Sequence, residues 1–241
     1  MLILWPMSLA GTLYLIPNLL GGEDISILPP ANLKIIHNLS FFIVENAKNA
    51  RKFLKICRHP LPMSSIQIKE IDKHKIGNPS YYLIELINGI SGGLLSDAGC
   101  PGIADPGADI VRQAHQKNIK VQALTGPSSI LLTLMASGLN GQKFHFHGYL
   151  PVNKEERTKV IKSLEEKSKR EGCTQVFIET PYRNTALLAD LKHTLHRHTL
   201  LCLGIDITLP TEEIWTKTVR DWTKCTLDIH KRYVVFAFLA G

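Results

Sequence analysis

Short apolar runs alternate with helix-patterned stretches along this chain, and that alternation confines it to the α/β class. Thr12-Leu13-Tyr14-Leu15-Ile16 and Phe41-Phe42-Ile43-Val44 read as buried strands. The second runs straight into residues 47–56, where Ala47, Ala50, Phe53 and Leu54 share one helical face and Arg51, Lys52 and Lys55 lie mostly on the wet side. Residues 79–87, entered through Asn78, fit helix or strand equally. A helix is predicted over 108–116 and a strand over 120–124. An apolar helix over 130–136 follows, with Ser128 able to cap it. After Gly148-Tyr149-Leu150-Pro151 the organisation changes. Asn153 opens an amphipathic helix, with Glu156 completing a capping box, and Gly172 ends it. Beyond it come a strand over 175–179, a helix over 185–195, a strand over 200–207, an element over 213–222 and a last strand over 233–239. A length of 241 residues suits two domains, drawn here as 1–145 and 146–241.

Residues 96–107 hold three Gly, two Pro and two Asp between a buried strand and a helix. An ordinary crossover needs only about two to six residues. The segment reads either as a ligand cradle, with glycines admitting close main-chain approach and Asp97 or Asp105 accepting hydrogen bonds, or as two consecutive tight turns. A second glycine turn, Thr125-Gly126-Pro127-Ser128-Ser129, links a strand to a helix and favours the cradle, because ligands bind at the carboxyl ends of strands in such sheets. Neither loop matches a Walker A or a G-x-G-x-x-G fingerprint, which disfavours nucleotide hydrolysis and hydride transfer. Farther on, Glu179-Thr180-Pro181-Tyr182-Arg183 sets a carboxylate, a phenol and a guanidinium at a strand end. Glu179 there serves as a base and Arg183 as an anion contact, or the two simply pair with each other.

Lys plus Arg number 28 against 21 Asp plus Glu, a formal charge of +7 that suits RNA or a small polycarboxylate. Lys48, Arg51, Lys52, Lys55, Arg58 and His59 form the densest basic cluster, either an RNA contact or a solvated helix face. Five widely spaced cysteines without a C-x-x-C pair point to a reducing cytoplasm. His193, His196 and His198 lack a carboxylate or thiol at ligand spacing, so no metal is expected. The apolar start lacks a basic leader and is broken by Pro6, Gly11 and Pro17; with no later apolar run near membrane-spanning length, no membrane association is expected. Met7 is a candidate alternative start.

Ser96-Asp97-Ala98-Gly99-Cys100-Pro101 through Ala104-Asp105-Pro106-Gly107 resembles the S-D-A-G-x-P-x-x-x-D-P-G loop of the tetrapyrrole methylase superfamily, in its ribosomal RNA small-subunit methyltransferase I branch. Gly126-Pro127-Ser128, Ala136-Ser137-Gly138-Leu139, Gly148-Tyr149-Leu150-Pro151 and Glu179-Thr180-Pro181-Tyr182-Arg183 match further motifs of that family in the same order. The resemblance implies a homodimeric, two-domain α/β enzyme with S-adenosylmethionine in a cleft between the domains, 2′-O-methylating small-subunit ribosomal RNA. It places the cofactor against Pro17, Ser96, Asp97, Ala98, Gly99, Pro101, Ile103 and Ala104. Thr125, Gly126, Pro127, Ser128 and Ser129 follow, then Met135, Ala136, Pro181, Tyr182 and Ala237. Glu179 and Glu45 become candidate bases, and Arg51 and Arg183 substrate contacts. Ile16-Pro17-Asn18-Leu19-Leu20-Gly21 stands where the family reads T-P-I-G-N, and Glu45-Asn46-Ala47-Lys48 where the RNA enzymes read E-D-T-R, which marks a divergent subgroup. Two other readings remain at this stage: methylation of a tetrapyrrole or other small polyanion, and a non-catalytic RNA-binding factor on the same fold.

Overall fold

Side chains that alternate between the two faces of the strand Phe41–Val44 meet different helices on each side of the first sheet. The computed structural model describes residues 10–72 and 79–241, so most of the apolar start, Met7 included, and Asn78 lie outside the described residues. The chain divides into two compact units, Met1–Pro127 and Ser128–Gly241. The first contains β1 (Leu13–Ile16), α1 (Pro30–His37), β2 (Phe41–Val44), α2 (Ala47–Ile56), β3 (Gln67–Glu70), α3 (Ile84–Ile87), β4 (Gly92–Leu95), α4 (Ala108–Gln116) and β5 (Val121–Ala123). Its strands are all parallel, in the order β3-β2-β4-β1-β5.

Phe42 and Val44 of β2 pack with Ile36, Ala50, Phe53 and Leu54 from α1 and α2. Phe41 and Ile43, on the opposite face, meet Leu83, Leu86, Ile110 and Ala114. β2 is therefore apolar throughout, as a strand covered on both faces must be. Gly93 of β4 is required by this packing: a Cβ there would stand 2.5 Å from Ile16 Cδ1 and 2.9 Å from Phe42 Cδ1. The undecided residues 79–87 fold as a 3-10 turn (Pro79–Leu83) leading into α3.

The second unit contains α5 (Ser129–Ser137), β6 (Phe144–Tyr149), α6 (Lys154–Glu171), β7 (Thr174–Ile178), α7 (Asn184–Thr194), β8 (Leu200–Ile205), β9 (Glu213–Thr218), α8 (Val219–Trp222) and β10 (Val234–Leu239). Its sheet runs β6-β7-β10-β8-β9; the β6–β7 pairing is parallel and the other three are antiparallel. Phe177, Phe236 and Phe238 pack one face with Ile161, Leu187 and Leu191, while Trp222 joins them and donates Nε1–H to Leu201 O at 2.8 Å. Ile130 and Leu134 of α5 cover the other face, over Val176, Cys202, Val235 and Ala237. That burial places α5 with the second sheet, so the division falls at Pro127 and not at residue 145. Asn153 Oδ1 accepts Glu156 N–H at 3.0 Å, the Asn153 half of the expected capping box, and Gly172 at φ +60° closes α6. Among the described residues no helix is long and apolar enough to cross a membrane.

Candidate functional site

In the first unit the chain leaves β1 toward β2 but leaves β4 toward β5, so the neighbouring carboxyl ends of β1 and β4 form a topological switch point. Three loops issue there, after β1, β4 and β5, and named contacts tie them together. Asn18 is the hub. Its main-chain N–H donates to Gly99 O at 2.8 Å, and its Nδ2 donates to Ser96 O at 3.0 Å and Asp97 O at 3.1 Å. Its Oδ1 accepts the Leu19 N–H at 2.8 Å, so this buried amide is satisfied on both ends. Ser96 Oγ turns back to Ala98 O at 3.0 Å, and Asp97 N–H reaches Glu45 Oε2 at 3.3 Å.

Pro17 lies directly against Gly126, where any Cβ would sit 2.2 Å from the proline Cβ; the turn after β5 needs glycine for that close approach. Asn32 Nδ2 holds Thr125 O at 2.7 Å, and Cys100 Sγ approaches Pro127 O at 3.5 Å. Burial, then the Asp105 carboxylate, push the Cys100 thiol above its ordinary range, which keeps it protonated. Gly99, Gly102, Ala104 and Gly107 all take positive φ, so the 96–107 loop turns repeatedly.

These ties sort the expected cofactor residues of this unit. Pro17, Ser96, Gly99, Pro101 and Pro127 are buried supports, whereas Asp97, Ala98, Ile103, Ala104 and Thr125 present exposed surface. Glu45, directly after β2, is half-buried beside Asp97. Arg51 stands on the exposed face of α2 with Lys48, Lys52 and Lys55, and exposed Arg58 follows just past the helix end. Asn18 and Asn32, which hold the loops, escape sequence reasoning because their partners lie 78 to 93 residues away.

The second unit carries the remaining residues. Ser128 Oγ caps α5 by accepting Leu131 N–H at 3.4 Å, Ser129 begins the helix, and Met135 and Ala136 are exposed on it. At the end of β7, both Glu179 carboxylate oxygens accept from Arg183 Nη2, at 2.6 and 2.7 Å, and Oε1 also accepts Thr180 N–H at 2.6 Å. The Glu179 side chain is 1% exposed. Of the two readings of that strand end, local pairing is the one the geometry realises. Pro181 O accepts Lys231 N–H at 3.1 Å, and the exposed Tyr182 ring meets His230 edge-on with Lys231 Nζ 5.9 Å from its centre. Ala237 is fully buried under α5, so its side chain packs the core.

No family model matches the chain. A ribosomal RNA small subunit methyltransferase I of Streptococcus pyogenes is 35% identical over 201 residues, covering 81% of this chain and 62% of the relative. The Synechocystis protein of the same name is 28% identical, covering 87% and 72%, and that of Buchnera aphidicola is 28% identical, covering 98% and 80%. Among solved structures, a cobalt precorrin-4 methyltransferase aligns with TM-score 0.61 at 12% identity over 98% of both chains. Diphthine synthase aligns at 0.64 and 15% identity over 95% of this chain and 89% of its own. At those identities the likeness is one of fold.

Proposed function

We propose that this chain, similar in sequence to ribosomal RNA small subunit methyltransferase I proteins and in fold to tetrapyrrole methylases, is a methyltransferase that acts on small-subunit ribosomal RNA at a ribose 2′-hydroxyl. The donor in this reading is S-adenosylmethionine, which when bound supplies an electrophilic methyl group on a sulfonium. The observation that carries the reading is the tied set of loops after β1, β4 and β5. They offer main-chain polar groups, the exposed Asp97 carboxylate and the apolar surface of Ala98 and Ile103, a set that fits a molecule with hydroxyls, an ammonium group and an aromatic base. Asp97 and Thr125 would hold its polar groups and Ile103 its flat ring.

Alignment is the main task of this chain's residues, because holding reactants in line is worth up to roughly 7–11 kcal/mol. A ribose hydroxyl must also lose its proton as the new C–O bond forms. We assign that proton to the Glu45 carboxylate, which follows β2 and lies beside Asp97. Glu179, with both oxygens held by Arg183, becomes a positioning residue for the Thr180–Arg183 turn, and Arg183 its partner. The exposed basic face of α2, Arg51 included, suits an RNA backbone, whose binding weakens steeply with salt as counterions are released. An RNA substrate and five cysteines that form no disulfide support a cytoplasmic setting for the reaction.

Incubation with isotope-labelled S-adenosylmethionine and undermethylated small ribosomal subunits tests the reading, and label at a ribose is the expected result. Label in an added tetrapyrrole instead, or donor binding without transfer to either, overturns the assigned acceptor. Glu45→Gln should lower single-turnover methyl transfer by about 10²–10⁴-fold with donor affinity retained. An unchanged rate removes Glu45 from the mechanism.

A further inference from the structure

The parallel pairing of β6 with β7 assembles a set of side chains that no spacing in the sequence announces. His145 sits opposite Gln175. Side chains alternate along an extended chain, so Cys173, two residues before Gln175, falls on the same face as His145. Glu171 ends α6, and Gly172 in the left-handed region turns the chain between Glu171 and Cys173. His145 Nε2 lies 3.9 Å from Glu171 Oε2, and Cys173 Sγ lies 3.9 Å from that same oxygen. One nitrogen, one oxygen and one sulfur thus stand within 4.8 Å of one another, beside an open cavity of about 580 Å³.

We propose that His145, Glu171 and Cys173 bind one zinc-like divalent cation, with solvent in the fourth position. Zinc takes thiolate sulfur at about 2.3 Å and imidazole or carboxylate at about 2.0 Å, which sets tetrahedral ligand atoms roughly 3.3–3.5 Å apart. The two 3.9 Å separations need only a small contraction, and the half-exposed His145 and Glu171 side chains are free to rotate inward. The mixed nitrogen, oxygen and sulfur set selects a borderline ion over magnesium or calcium, which take oxygen ligands. The flanking cations address the outer atoms of the set. Arg170 Nη2 holds Glu171 Oε1 at 2.8 Å, leaving Oε2 toward the thiol and imidazole, and Lys167 Nζ is 3.5 Å from His145 Nδ1, the ring nitrogen turned away. Metal at Nε2 leaves the proton on Nδ1, so Lys167 swings to solvent. The Cys173 thiol proton is released to water as the sulfur–metal bond forms.

A second layer already supports such a thiolate. Gln175 Nε2 donates to Cys173 Sγ at 2.8 Å, and Gln175 Oε1 accepts from His147 Nε2 at 2.7 Å. Cys173 is 1% exposed and lines the cavity beside the cluster.

Titration of the full chain, free of any histidine tag, with cobalt(II) tests the site by its absorption spectrum. One equivalent should produce a thiolate-to-cobalt charge-transfer band that zinc abolishes by displacement. Cys173→Ser should remove the band, and His145→Ala, at the sheet edge, should weaken zinc binding by at least a hundredfold with an unchanged circular dichroism spectrum. Gln175→Ala should weaken it by only about 10–100-fold, as loss of an outer-layer partner does. No band at one equivalent, a band that survives Cys173→Ser, or an affinity indifferent to His145→Ala overturns the proposal.

Discussion

The two units solve one problem, fixing the chain at strand ends, with opposite chemistry. The first ties its loops with neutral amides: Asn18 across the β1 and β4 loops, Asn32 onto Thr125, and Asn46 capping α2 by accepting Lys48 and Asn49 N–H groups at 3.0 Å. The second uses charge. Among the described residues the buried charged side chains, Arg157, Glu179, Asp190 and Asp206, all belong to it. Arg157 pairs with Asp190, Glu179 with Arg183, and Arg232 bridges Asp206 and Glu213 at 2.8 and 2.7 Å. A parallel sheet gathers its crossover loops at one edge, where carbonyls crowd and need donors; an asparagine supplies two without adding a charge beside a ligand. Antiparallel connections bring single turns together, and an ion pair with several hydrogen bonds specifies one geometry for each.

The largest effect that would break this contrast lies in the second unit. Asp190→Ala leaves the Arg157 guanidinium, 9% exposed, with only the carbonyls of Pro151 and Val152 as partners. A loss of about 3–5 kcal/mol in urea unfolding is expected, and replacing both partners with leucine should recover most of it. A loss indistinguishable from zero in the single variant would mean that charge does not hold this unit.

Asn18→Ala is the matching cut in the first unit. It strands the Ser96 and Asp97 carbonyls and should cost about 1–3 kcal/mol. S-adenosylmethionine affinity, read by calorimetry, should fall with it, and undiminished affinity would dissociate the amide ties from ligand binding.

The smallest effect concerns the one mostly buried ion pair among the described residues of the first unit, Lys69–Glu85 at 2.7 Å. Burial pushes the Glu85 carboxyl up, but hydrogen bonds from Lys69, its own main chain and Gln67, with the lysine charge, outweigh it and hold it below the ordinary 4.5. A carboxyl so depressed stabilises the fold above pH 4.5 and ceases to as acid protonates it. The stability gap between wild type and Lys69→Gln should therefore be about 1 kcal/mol at neutral pH and close on acidification. A gap independent of pH would assign the lysine's role to packing, its Nζ lying 4.2 Å from the Tyr81 ring centre.

What the sequence reveals follows the same line. α2, α4 and α6 are legible because burial and capping are local: the apolar stripe of 47–56 and the Asn153 cap need no distant partner. β3 is hidden, since Gln67-Ile68-Lys69-Glu70 forms a polar sheet edge without apolar alternation. β6 is hidden too, because the domain division drawn after residue 145 falls inside it, where the structure has an edge strand with an irregular register. The S-D-A-G and G-P-S loops announce themselves through glycine and proline, whereas Asn18 and Asn32 resemble ordinary loop and helix asparagines until the sheet sets them beside their acceptors. The Glu179–Arg183 pair is visible as one of two local options, and only the folded chain chooses between them.

The border between the units runs through the Gly126-Pro127-Ser128 tripeptide, with the tight turn on one side and the helix cap on the other. A gene divided at that border severs the motif itself, handing Gly126 to one fragment and the Ser128 hydroxyl to its sibling. Neither half-protein would then inherit a whole copy of the motif.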